Sequence, residues 1–247
     1  MLLAGRIALV TGAAQGNGAA LALGLARAGA GVVATDLAAP EATADAIRAA
    51  GGQAWALALD ITQPAHCASV AAAAARLAGP VSLLVNNAGI CPRPTIDSPD
   101  LMAQFDAAMD VNVRGALNVT LALLPALRAT RGAVVNIASI ASFVSTGTSV
   151  AYPTSKAALR MLTQSLAQEL APDGIRVNAI APGVIATPMT AATIANPAVA
   201  QRFLSRVPLG RFGETADLVG PVVFLASDMA GYVTGATLPV DGGYLAV

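Results

Sequence analysis

Charge is scarce in this chain. Of 247 residues only 11% are Asp, Glu, Lys or Arg, and 14 basic residues cancel 14 acidic ones. No basic run or stripe is present, so nothing provides the electrostatic footprint that nucleic-acid binding requires. Cysteine is nearly absent too: Cys67 and Cys91 cannot build a disulfide framework and lack metal-ligand spacing, so both are expected to be reduced thiols. With His66 the one histidine, a His-rich metal site is excluded, and a Ser-His-Asp triad would have to use that residue. His66 lies in QPAHCAS, at the start of a predicted helix, where a surface position is expected. No uncharged apolar run is long enough to span a bilayer. The opening MLLAGRIALVTGAA has Arg6 inside its apolar stretch rather than ahead of it, so RIALVTG reads as a first strand and not as a signal segment. Asn118-Val119-Thr120 matches a glycosylation sequon but falls inside an apolar helical pattern. The expectation is a cytoplasmic, soluble chain with no membrane, nucleic-acid or metal partner.

What the chain has is apolar mass: 55% of it, much of that alanine, which favours helices packed closely on a sheet. Short apolar runs at 6–10, 31–35, 54–59, 82–86, 132–138, 175–181 and 236–240 read as strands. Helical patterns at 17–29, 40–50, 63–78, 98–129 and 150–171 lie between them. Strands that are apolar throughout and alternate with helices predict a parallel sheet buried on both faces. The expected fold is Rossmann-like α/β: a doubly wound parallel sheet of about seven strands, flanked by helices, in a single domain over 1–247. Residues 187–213, with several Pro and Gly around one short helical pattern, read as an excursion over the carboxyl edge and a candidate substrate lid.

The first strand runs into TGAAQGNG, with glycines at 12, 16 and 18, and then into a helix. Unpartnered amides at a helix start, together with the helix dipole, favour an anion such as a pyrophosphate, and glycines let the backbone come close to it. The second strand ends in Asp36, 18 residues after Gly18, near where a dinucleotide site places a carboxylate for the adenosine ribose. A 2′-phosphate would face that carboxylate at a cost of about 4 kcal/mol per contacting charge pair near a surface. Neither AAQGN (13–17) nor LAAP (37–40) contains a cation to offset it. NAD is therefore the expected cofactor rather than NADP.

These features continue in a fixed order: Asp60 after the third strand, NNAG (86–89), Asn112 in VNVRG, Ser139, Tyr152-x-x-x-Lys156, Pro182-Gly183 with Thr187, and a terminal VDGG (240–243). Ser139 precedes Tyr152 by 13 residues. Taken together the chain resembles the short-chain dehydrogenase/reductase family, in its compact NAD-dependent form, over nearly its full length. The resemblance implies an oxidoreductase interconverting a secondary alcohol and a ketone by hydride transfer. It implies that Tyr152 is the general acid/base, Lys156 its activator and ribose ligand, Ser139 a donor to the substrate oxygen, and Asn112 the holder of a relay water. The cofactor would lie along Gly12, Gln15, Gly16, Asn17, Gly18, Asp36, Leu37, Asp60, Ile61, Asn87, Ala88 and Gly89. Tyr152, Lys156, Pro182, Gly183, Ile185 and Thr187 would hold its nicotinamide end. A homotetramer is the family's common assembly.

Physical chemistry supports the Tyr–Lys assignment independently. A free tyrosine with a pKa near 10 is only about 0.1% phenolate at neutral pH, and a nearby cation lowers that pKa. Residues at i and i+4 lie one turn apart on one helix face. The sequence departs from the family at Asn17, where Ile is usual, and at Pro153. Proline is tolerated only in a helix's first turn, so this helix should begin near Val150, with Tyr152 at its amino end facing the cleft.

The substrate side is expected to be mostly apolar, from Ile90, Ile140, Phe143, Val144, Val184 and Met189 beside Ser139 and Tyr152. Arg93 is the one cation in the segments after NNAG, Ser139 and Gly183. A small or medium secondary alcohol or ketone is favoured. The alternatives are a 3-oxoacyl-thioester reductase, a polyol or sugar-alcohol dehydrogenase and, more remotely, a non-catalytic NAD-binding scaffold.

Overall fold

A computed structural model describes all residues from Met1 to Val247. Seven parallel strands form one sheet in the order β3-β2-β1-β4-β5-β6-β7. They are β1 (Ile7–Thr11), β2 (Gly31–Asp36), β3 (Ala54–Ala58), β4 (Leu83–Asn86), β5 (Ala133–Ile137), β6 (Arg176–Pro182) and β7 (Thr237–Val240). All seven predicted strands are present, shifted by at most a residue or so at their ends.

The period of two in the strands decides which side chains go to which layer. Ala8, Val10, Val32, Ala34, Leu83, Val85, Ala133 and Val135 enter one cluster, whereas Leu9, Val33, Leu84, Val134 and Val177 enter the other. The first cluster is closed by α1 (Gly16–Arg27), α2 (Glu41–Ala49) and α9 (Val219–Ala226). The second is closed by α3 (Pro64–Leu77), α5 (Ala116–Thr130) and α6 (Ala151–Leu170). Both faces are covered, as parallel sheets require. Gly24 lets α1 and α9 touch: a Cβ there would sit 2.3 Å from a methyl of Val219.

Two local features differ from expectation. The predicted helix over 98–129 is α4 (Leu101–Met109), a π-helical turn over Asp110–Gly115, and then α5. A π-turn adds one residue to a turn of the helix, and such turns concentrate at functional sites. α9 was not anticipated, because GPVVFLA combines glycine, proline and β-branched residues that score poorly as helix. The 187–213 segment holds two short helices, α7 (Ala191–Ala195) and α8 (Pro197–Leu204), the second capped by the Asn196 side chain. No helix is long and apolar enough to cross a membrane.

The strand order reverses between β1 and β4, so the loops after these strands diverge and leave a crevice at the carboxyl edge. Thr11, Asp36, Asn86, Ile137 and Pro182 are the last residues of their strands. Most predicted site motifs follow one of these ends or lie on α6 or the π-turn beside them, while Asp60 and Ile61 follow the end of β3.

Candidate active site

A cavity of about 380 Å³ opens at this edge. Its wall includes Gly12, Gln15, Gly16, Asn17, Gly18, Asp36, Leu37, Asp60, Ile61, Asn87, Ala88, Gly89, Ser139, Tyr152, Lys156, Pro182, Gly183, Ile185, Thr187 and Met189. All the predicted cofactor positions therefore share one wall, together with Ser139, Tyr152 and Lys156.

The cradle is built by backbone that only glycine permits. Gly12 and Gly16 have φ of +66° and +55°, in the left-handed region. A Cβ on Gly18 would lie 2.0 Å from the Gly12 carbonyl oxygen, so the helix start can approach the strand end only without a side chain. Asn87 locks the turn from behind, its Nδ2 donating to the Thr11 and Gly12 carbonyls at 2.9 and 3.0 Å. The Thr11 hydroxyl accepts from the Asn87 and Ala88 amides at 3.0 Å each. Asn17 keeps a buried Oδ1 with no partner inside the protein. Glycine-shaped backbone at a helix start and an unspent acceptor in its first turn fit a nicotinamide dinucleotide.

At the far end, Asp36 accepts from the Ala14 amide at 3.0 Å and from the Leu37 amide at 2.8 Å. Each carboxylate oxygen keeps a lone pair for a diol. Asp60 is held by the amide and hydroxyl of Thr62, at 2.9 and 2.7 Å, and these bonds lower its pKa. His66 is not the surface residue expected: it is half-buried, and its Nδ1 accepts from the Asp60 amide at 3.2 Å. The reason is the helix start itself, which turns the ring back onto the loop after β3.

At the other end, α6 begins at Ala151, so Pro153 falls in its first turn and Tyr152 faces the cavity. Lys156 Nζ donates to the Ile137 carbonyl at 2.8 Å and sits 5.8 Å from the centre of the Tyr152 ring. Gly89 makes room for it, since a Cβ there would be 3.4 Å from Nζ and 3.0 Å from Asn112 Oδ1. Asn112, fully buried in the π-turn, accepts from the Ile90 amide and donates to the Ile90 carbonyl and the Ser155 hydroxyl. Its amide is thus spent on a loop and a neighbouring helix, rather than on a carbonyl of its own helix.

Electrostatics correct one expectation. Burial pushes the Tyr152 phenol up to about 12, with the Ser139 hydrogen bond and the Arg93 charge pulling the other way. Burial also pushes Lys156 down to about 8. The protein's own groups therefore do not depress the phenol as the i, i+4 spacing suggested. Lys156 aims its ammonium at a backbone carbonyl, and the low-dielectric surroundings penalise both charged forms.

The substrate side differs further from expectation. Of the expected residues, Ile90, Ser139, Tyr152 and Met189 line the cavity, joined by Pro188 and Thr190. Ile140, Val144 and Val184 do not, because they pack in a small cluster with Phe203, Tyr244, Val199 and Val207. Phe143 lies outside, under the Arg160 guanidinium at 4.2 Å from its ring centre. These apolar side chains are used to seat α8. Arg93 was singled out by sequence only as an unassigned cation. Its Nη2 donates to the Thr193 hydroxyl of α7 at 2.9 Å.

Comparisons with known proteins agree with this geometry. A family model described as enoyl-(acyl carrier protein) reductase matches residues 12–245. The chain is 41% identical to an L-rhamnose 1-dehydrogenase (NAD(P)(+)) of Azotobacter vinelandii, covering 98% of each. It is 38% identical to a 2-dehydro-3-deoxy-D-gluconate 5-dehydrogenase of Dickeya dadantii, over 99% of this chain and 97% of that protein. The crystal structure of a gluconate 5-dehydrogenase from Burkholderia cenocepacia J2315, in complex with NADP and tartrate, superposes with a TM-score of 0.93 at 35% identity, covering 99% of this chain and 97% of the other. With the glycine cradle, the Ser139–Tyr152–Lys156 arrangement and relatives matched end to end, the chain belongs to the short-chain dehydrogenase/reductase family of NAD(P)-dependent oxidoreductases.

Proposed function

We propose that this protein is an NAD-dependent dehydrogenase interconverting a secondary alcohol and a ketone on a small hydroxylated substrate, with Tyr152 exchanging the proton. The observation that carries the reading is the joint placement of Ser139, Tyr152 and Lys156 at the end of a cavity whose other end is the glycine cradle and Asp36. Bound NAD supplies the hydride acceptor or donor and, when oxidised, a positive charge that favours the phenolate. The remaining chemistry belongs to the chain. Oxidation takes a proton from the carbinol oxygen to Tyr152 Oη while the carbinol hydrogen leaves with its electron pair. Ser139 donates to the same oxygen and steadies its partial charge. Lys156 would hold the nicotinamide ribose and, with both groups facing it, favour the phenolate.

Asp36 with no cation in residues 13–17 or 37–40 supports NAD over NADP. The sugar-acting relatives support a polyol or sugar-type alcohol rather than the purely apolar one that the sequence favoured. The test is absorbance at 340 nm with NADH and NADPH across a panel of sugars, cyclic ketones and acyl thioesters. Turnover of hydroxylated ketones with NADH supports the reading. Turnover confined to acyl thioesters, or faster with NADPH, contradicts it.

A further inference from the structure

His66 is the one histidine of the chain, and no step of the chemistry at Tyr152 uses it. It stands in the first turn of α3, where its Nδ1 accepts from the Asp60 backbone amide at 3.2 Å. A backbone amide can only donate, so Nδ1 carries no proton and the ring is held as its Nε2–H tautomer. The ring is half-buried, so water still reaches it. The residue it holds belongs to the cofactor wall: Asp60, Ile61 and Thr62 line the cavity just beyond β3. The Asp60 carboxylate takes both Thr62 bonds on Oδ1, which leaves its other oxygen for a ligand donor. The Ile61 carbonyl accepts from Asn118 Nδ2 of α5 at 3.0 Å. Ile61 itself packs where Gly115 has no side chain, since a Cβ there would lie 2.6 Å from its Cδ1.

Of the bonds that set this loop, the one to His66 depends on a side-chain type whose charge changes between about pH 5 and 8. An imidazolium has two N–H donors and no acceptor. It would oppose the Asp60 amide with a second donor and face the positive end of α3. It would also compete with a ligand for the Asp60 carboxylate. That carboxyl is held below the ordinary range by Thr62, with the ring's charge acting in the same direction, so it stays ionised as the ring titrates. The other ionisable groups around the ring are few. Burial pushes the Cys67 thiol up, and β3 carries no ionisable side chain. α5, packed on α3, pairs Arg128 with Asp173, and the π-turn pairs Arg114 with Asp110. Asp36, at the end of β2, accepts from the Ala14 and Leu37 amides. Arg76 lies ten residues further along α3, about 15 Å away.

We propose that His66 is a positioning residue for the adenine end of the cofactor site: neutral, it holds Asp60 and Ile61 in place against the adenine, and on protonation it releases them, so that dinucleotide affinity falls as the pH drops below neutral. The proposal rests on the dinucleotide reading of the site and adds to it a residue and a pH dependence. The sign is fixed by linkage: if the unprotonated ring favours the ligand, the ligand must in turn make the ring harder to protonate by the same factor.

The experiment is calorimetric titration with ADP-ribose at pH 7.5 and pH 5.5, in wild type, His66→Asn and His66→Phe. ADP-ribose carries the adenine end without the nicotinamide and has no group of its own that titrates in this range. Asparagine keeps an acceptor where Nδ1 stands and does not titrate, whereas phenylalanine keeps the ring and removes the acceptor. Wild type should bind about tenfold more weakly at pH 5.5. His66→Asn should bind much as wild type does at pH 7.5 and stay nearly flat, and His66→Phe should be weak at both. Lys156, near 8, gains charge over the same descent and favours an anion, so it cannot imitate the loss. The ring's proton NMR signal, which a single histidine makes unambiguous, should titrate about one pH unit lower with ADP-ribose bound. Should His66→Phe fail to fold, wild type, His66→Asn and the NMR titration decide the matter without it. Equal wild-type affinity at both pH values, the same fall in His66→Asn, or a ring titration unmoved by the ligand would overturn the proposal and leave the dinucleotide site standing. Absence of binding by ADP-ribose, NADH and NADPH at either pH would remove both.

Discussion

Asn112 and Ile90 are joined as two strands would be: the side-chain amide of one accepts from the backbone amide of the other at 2.8 Å and donates to its carbonyl at 2.9 Å. The pairing connects the π-turn to the loop that carries Ile90 to Arg93. Asn112→Ala leaves the part-buried N–H and carbonyl of Ile90 without their partner, each costing up to about 1–3 kcal/mol. The variant is expected to lose about 2–4 kcal/mol of unfolding free energy and to weaken substrate binding, measured by urea denaturation and by KM. Wild-type stability in Asn112→Ala would mean that the loop is held by other contacts.

Lys156 sets a pH dependence of stability with a defined sign. Its folded pKa, near 8, lies below the 10.5 of the free side chain, so the unfolded chain binds more protons between those values. Stability from this group therefore rises with pH across about 8 to 10.5. Tyr152, raised to about 12 from 10.0, works oppositely and only above pH 10. Thermal melts of the protein without added cofactor, in wild type and Lys156→Met, should show the variant's advantage shrinking from pH 7 to pH 10. A constant difference would show that the lysine is not held in an environment that penalises its charge.

Under the proposed NAD preference, Asp36 would offer its unspent lone pairs to the ribose diol and repel a 2′-phosphate. Asp36→Asn is expected to raise NADPH affinity at least tenfold and to lower NADH affinity, read from the fluorescence of the bound reduced cofactor. The direction follows from removing a charge worth about 4 kcal/mol against an anion at contact. Unchanged discrimination would place selectivity elsewhere in the cradle.

Gly18 has no room for a methyl group, because the Gly12 carbonyl oxygen would lie 2.0 Å away. Gly18→Ala should weaken NADH binding by more than 100-fold by forcing the strand end and helix start apart. Gly220, on α9, meets nothing within 4 Å, and Gly220→Ala should instead stabilise the fold by roughly 0.5–1 kcal/mol. Fluorescence titration and denaturation separate the two effects.

Much of this was readable from sequence because its causes are local and periodic. Runs such as IALV are apolar at every position, and AVVNI at all but Asn136, as a sheet buried on both faces requires. Pro153 limited where α6 could begin. The π-turn was hidden because one extra residue inside a long helical pattern leaves no local sequence mark of its own. Ile140, Val144 and Val184 were apolar residues in the right segments, but whether they face a ligand or the underside of α8 depends on packing partners distant in sequence, such as Phe203 and Tyr244. The Tyr152–Lys156 electrostatics were misjudged for a similar reason: spacing shows that two groups are neighbours, and only burial shows what their charges cost.

The central claim is that Tyr152 transfers the proton, and its direct test is the steady-state rate of Tyr152→Phe beside wild type, followed at 340 nm with NADH and a substrate turned over by the wild type. Phenylalanine preserves the ring and removes only the hydroxyl, so cofactor affinity should stay close to wild type while kcat falls at least 1,000-fold, about 4 kcal/mol of barrier. A Tyr152→Phe enzyme that keeps kcat within a few fold of wild type would contradict the account.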